Sequence, residues 1–197
     1  MEWLYQFLGP EREEDSLAEG ERTRELNPLS PFMVGWLADL YRDACRYEDA
    51  LRLAKEAIRL DPEFPVGWLV LGAIYADLGQ FDEAIDAHGQ LADMPEFSWI
   101  IGTTYAAAGL EDKAHGVAAP LEMNPGAEFP LVLIYTRLGD RESALHWIAE
   151  AEKARTPWYP GLLGWLPSRE LIADDPRLQA RAAALGLPDP RTMGCED

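Results

Sequence analysis

The sequence predicts an all-α chain, a right-handed superhelix of stacked helix-turn-helix repeats, and three observations carry that expectation. Four tyrosines, Tyr41, Tyr75, Tyr105 and Tyr135, recur at intervals of 34, 30 and 30 residues. An alanine follows each by nine positions: Ala50, Ala84, Ala114 and Ala144. A branched aliphatic precedes each by four (Leu37, Leu71, Ile101, Leu131), and a mostly small residue by three (Ala38, Gly72, Gly102, Val132). Self-similarity at such a period marks an array in which each unit buries its apolar face by stacking on its neighbours.

Within a unit the aliphatic and the small residue stand about one turn before the tyrosine on a first helix, and the three form a stripe that must be buried. Four residues after each tyrosine stand Cys45, Gly79, Gly109 and Gly139. Glycine takes the left-handed conformation that ends a helix, so the chain reverses there. An acidic stretch opens the second helix, as in Tyr47-Glu48-Asp49-Ala50 and Phe81-Asp82-Glu83-Ala84, where carboxylates meet the positive end of the helix dipole. The recurring alanine belongs where two helices approach too closely for a larger side chain.

Composition bounds the function. Hydrophobic residues at 48% and charged residues at 26% describe a folding chain. Its 35 acidic against 17 basic residues give a net charge of -18, which argues against nucleic acid and against an anionic membrane surface, since both reward cations. Solubility alone accounts for the acid excess equally well. No apolar run approaches the roughly 20 residues of a membrane-spanning helix, and nothing at the start reads as a signal peptide. Cys45 and Cys195 read as free thiols, which suits a reducing compartment and a cytoplasmic location.

The segment Gly67-Trp68-Leu69-Val70-Leu71-Gly72-Ala73-Ile74-Tyr75-Ala76-Asp77-Leu78-Gly79-Gln80-Phe81-Asp82-Glu83-Ala84, with the unit-closing Leu60-Asp61-Pro62 before it, resembles the tetratricopeptide repeat family. The likeness is specific over residues 31–92 and looser over 95–154. It implies four repeats within residues 31–156 (31–64, 65–94, 95–124 and 125–156). The second and third are four residues short, about one helical turn. His88 and Val132 depart from the family's small residues. Residues 1–30 read as an incomplete unit or capping helix, residues 157–187 as C-terminal capping helices after a break at Pro157 and Pro160, and residues 188–197 as a loose tail. The capping segment is similar to those closing repeat regions of bacterial signalling proteins such as adenylate cyclases, protein kinases and transcriptional regulators.

The resemblance also implies a concave face lined by first helices. The inward positions would be Asp39 and Arg42, then Leu69 and Asp77, then Trp99 and Thr103, then Phe129, Leu133, Thr136 and Arg137. Such a groove suits a protein or peptide ligand with hydrophobic anchors and a basic end near Asp39 and Asp77. Equally, Leu69, Trp99 and Phe129 can be packed by neighbouring helices or by the C-terminal segment folding back. Asp39, Asp43 and Asp77 stand where a clamp for a C-terminal carboxylate would need basic and amide side chains.

No residue pattern asks for a cofactor, a metal or catalysis. His88, His115 and His146 lack the helical partner of a metal motif, pairs such as Asp174-Asp175 read as solvated charges, and no phosphate-binding loop occurs. Two functions follow: a non-catalytic interaction module, part of a signalling system, or an assembly element whose incomplete first unit stacks on further repeats or on a second copy.

Overall fold

The computed structural model describes residues 13–154 and 171–184, which form ten α-helices and, among the described residues, no strand. The helices are α1 (Glu13–Leu26), α2 (Pro31–Asp43), α3 (Tyr47–Leu60), α4 (Pro65–Asp77), α5 (Phe81–Gly89), α6 (Ile100–Ala107), α7 (Glu111–Glu122), α8 (Glu128–Arg137), α9 (Arg141–Ala154) and α10 (Pro176–Ala184). The all-α class is as predicted. Described residues up to Phe97 form one compact unit, and those from Ser98 a second.

In the first unit α2 pairs with α3 and α4 with α5, while α1 packs on α2 and α2 lies beside α4. In the second, α6 pairs with α7 and α8 with α9, and α6 lies beside α8. Pro31 and Pro65 open α2 and α4, where a missing N–H costs nothing because the first-turn donors have no intrahelical acceptor. Ser30 adds a cap, its Oγ accepting from the Met33 amide at 3.3 Å.

One main-chain device closes all four hairpins. The carbonyl of each repeat tyrosine accepts from the amide five residues on: Arg46 to Tyr41 and Gln80 to Tyr75 at 2.8 Å, Leu110 to Tyr105 at 2.8 Å and Asp140 to Tyr135 at 3.0 Å. This is the Schellman closure, which needs a left-handed residue just before the donor. Gly79, Gly109 and Gly139 supply it at φ 71°, 71° and 74°. The first hairpin uses Cys45 at φ 58°. That cysteine is disulfide-bonded, so the expected free thiol is corrected there, and with it the argument for a reducing compartment. The chain's other cysteine, Cys195, lies outside the described residues.

The alanines nine residues after the tyrosines are all fully buried. Packing is as close on the facing helices. A Cβ on Gly102 would come within 2.8 Å of Val117 and 3.0 Å of Ile134, and one on Gly35 within 2.5 Å of Val66. The core of the first unit gathers Val34, Leu37, Leu53, Leu71 and Ile74, and that of the second Leu131, Ile134, Ile148, Ile172 and Leu178. Ile101 is only partly buried, and its neighbour Ile100 takes the interior place. The shortened repeats show as short helices: α5 has 9 residues and α6 has 8, against 14 in α3.

α1 is tied down. Glu21 Oε1 accepts from the Tyr41 hydroxyl at 2.7 Å, and Arg24 pairs with Glu56 of α3 at 3.2 Å. Two lysines lie over repeat tyrosines from second helices, Lys55 of α3 5.9 Å from the Tyr75 ring and Lys113 of α7 5.1 Å from the Tyr105 ring. The expected helix break at Pro157 and Pro160 and the tail from Pro188 lie outside the described residues.

Candidate functional site

The first-helix faces are described unit by unit. In the first unit, α2 and α4 meet through a guanidinium. Arg42 pairs with Asp39 at 3.1 Å, Asp43 at 2.8 Å and, across to α4, Asp77 at 3.8 Å. Its side chain is only 11% exposed. Burial alone would pull its pKa down, but the three carboxylates outweigh that and hold it well above the ordinary arginine value. The acids expected to greet a ligand's basic end are already engaged by the chain's own arginine. Leu69 is partly buried.

Behind α4 sits His88 of α5, buried, its Nε2 3.0 Å from the Leu69 carbonyl. That distance assigns the proton to Nε2, since the carbonyl can only accept. Burial, followed by the nearby Arg42 charge, lowers its pKa to about 4 against the opposing pull of the Leu69 bond. The ring occupies the space over Gly72: a Cβ there would lie 2.3 Å from His88 Cδ2. The departure from a small residue at position 88 is therefore matched by the smallest residue opposite.

In the second unit, Trp99 and Phe129 form an edge-to-face pair with centroids 5.6 Å apart, both partly buried. Thr103 is also partly buried, its hydroxyl donating to the Ile100 carbonyl at 2.7 Å, and Arg137 is partly exposed. Leu133 and Thr136, expected on the groove surface, are instead buried at 5% and 1% exposure. Thr136 turns its hydroxyl back onto the Val132 carbonyl at 2.6 Å. Leu171, Ile172 and Leu178 of the C-terminal segment belong to the same apolar cluster as Leu133, Trp99 and Phe129. Arg141 secures that segment through Asp174 at 2.8 Å and through the Leu171 carbonyl.

A charge pattern unused by the sequence reading becomes plain on the helices. Residues 60–112 contain ten acidic residues and no lysine or arginine, and residues 13–97 carry 19 acidic against 7 basic residues, a net -12. Asp82, Glu83 and Asp86 of α5 are exposed. Counting charge along the chain, rather than over the whole of it, would have found this.

His115 and His146 are exposed. Tyr135 donates its hydroxyl to Glu122, and burial followed by that carboxylate raises its pKa, an arrangement that stabilises the α7–α8 contact. No helix among the described residues is long and apolar enough to cross a membrane.

Residues 41–95 match the sequence model of the tetratricopeptide repeat. No curated protein matches the chain. Among solved structures, a thermophilic tetratricopeptide repeat protein of Thermus thermophilus superposes with a TM-score of 0.60 at 22% identity, covering 88% of this chain and 90% of that one. Such folds are generally non-catalytic scaffolds for protein–protein interaction. The chain is thus similar to tetratricopeptide repeat proteins, in sequence over residues 41–95 and in fold across most of its length.

Proposed function

We propose that the chain is a non-catalytic interaction module that holds a segment of a partner protein on its first-helix faces, as a regulatory or adaptor part of a signalling system. The observation that carries this reading is the row of adjacent first helices within each unit, α2 beside α4 and α6 beside α8. These helices present partly exposed side chains, Leu69 and Asp77 on one face and Trp99, Thr103 and Phe129 on the other. Aromatic and aliphatic anchors supply contact area, and the acid excess selects a partner without an excess of acid. The Arg42 pairs make the α2/α4 face rigid before a ligand arrives, which lowers the entropy cost of binding.

The test is capture of a partner identified by mass spectrometry, repeated with Leu69→Ala, Trp99→Ala and Phe129→Ala, each first shown by circular dichroism to be folded. Loss of the same partner from folded variants supports the reading. Retention of that partner by all three moves the site off the first helices.

A further inference from the structure

The first compact unit carries a second apolar surface, at the turn between α1 and α2. Leu26 is 77% exposed and Leu29 78%, and Phe32 is 44% exposed. They stand three residues apart through the end of α1, the Asn27–Leu29 turn and the first turn of α2. The Phe32 ring stacks on Trp36 at 6.4 Å and meets Phe64 edge-on at 6.4 Å, so the apolar stripe continues across the turn that precedes α4. Isolated exposed leucines need no explanation, but contiguous ones backed by aromatic rings mark interaction surfaces. α1 is pinned through Tyr41–Glu21 and Arg24–Glu56, so this stripe is displayed from an anchored helix.

We infer that the corner formed by Leu26, Leu29 and Phe32 docks a partner segment with an apolar face and basic flanks. Charge decides the occupant. Glu25 and Glu63, exposed beside Leu26 and Phe64, make no ion pair among the described residues. Arg22, one turn back on α1, offsets one of these charges but not the field of a unit carrying a net -12. A second copy would bring the same negative field to the same apolar corner, and that repulsion opposes self-association, whereas a cationic segment gains attraction and faster encounter. The apolar stripe then supplies the short-range contact that plain electrostatic attraction lacks.

The probe is a fluorescein-labelled amphipathic helix of leucine and lysine, with a leucine–glutamate counterpart, titrated with the full chain and followed by anisotropy. The expected result is saturable binding of the lysine peptide only. The charge-neutral double substitution Leu26→Ser with Leu29→Ser should weaken it at least about tenfold, about 1.4 kcal/mol. Met123→Ser, which removes another exposed apolar side chain, should leave it unchanged. Equal binding by the double variant would reduce the attraction to diffuse charge and overturn the inference. So would equal binding of the glutamate peptide, no binding at all, or a dimer in sedimentation that Leu26→Ser dissolves. Because the first-helix residues are untouched, these outcomes are independent of the capture experiment above.

Discussion

The pairing of His88 with Gly72 makes a prediction whose sign depends on background. Gly72 lies inside α4, where glycine costs up to about 1 kcal/mol relative to alanine, so on an open helix face Gly72→Ala would stabilise. Here the new methyl would fall 2.3 Å from Cδ2, 2.4 Å from Nε2 and 2.7 Å from Cγ of His88. The ring cannot yield freely, because its Nε2 is held by the Leu69 carbonyl at 3.0 Å. Overpacking costs about 1–3 kcal/mol, and displacing the ring loses a hydrogen bond of about 1 kcal/mol. Gly72→Ala should therefore destabilise the wild-type chain by about 1–3 kcal/mol. In a His88→Ala background the obstacle is gone, and the same substitution should stabilise by up to about 1 kcal/mol. The coupling, about 1–4 kcal/mol, lies outside the additivity expected of independent sites. Urea unfolding of the four proteins of the cycle, with hydrogen exchange of α4 and α5 amides to locate the change, measures it. Equal effects of Gly72→Ala in both backgrounds, within about 0.5 kcal/mol, would refute the proposed packing.

Three further outcomes follow from the same geometry. His88 has a folded pKa of about 4, below its ordinary 6.5, so its stabilisation is complete above pH 6.5 and is lost as pH falls towards 4, by about 3 kcal/mol in all. The acid-side drop in the urea midpoint should shrink in His88→Gln, and an unchanged drop would contradict the assignment. Removing the Arg42 side chain as Arg42→Met takes a buried cation from beside three carboxylates and should cost about 3 kcal/mol; adding Asp39→Asn and Asp77→Asn should recover part of that loss in thermal unfolding. Cys45→Gly relieves a left-handed residue and should raise stability by about 1 kcal/mol under reducing conditions, yet lower it without reductant, where the disulfide is lost. The same ranking in both buffers would count against the disulfide.

The helix plan was legible because every unit repeats the same steric demands. Tyrosine, a left-handed glycine and a tight alanine follow from backbone geometry, so spacing alone exposes them. The site was less legible. Leu133 is expected at an inward position of a first helix, but nothing in its own neighbourhood reveals that Ile172 and Leu178 belong to the same cluster. That clustering depends on a chain segment more than thirty residues downstream. Arg42's engagement was not legible because its partner across the face, Asp77, is distant in sequence and the pair distance cannot be read from spacing.

The lysines that lie over tyrosine rings have a practical meaning. With Lys153 they are the three lysines of the whole chain, and Lys55, Lys113 and Lys153 fall on α3, α7 and α9, each the second helix of its hairpin. Acetylation or ubiquitin attachment at lysine side chains would therefore label second helices alone. An affinity surface coupled through those amines would tether the protein by the same helices, leaving the first helices free of chemical attachment.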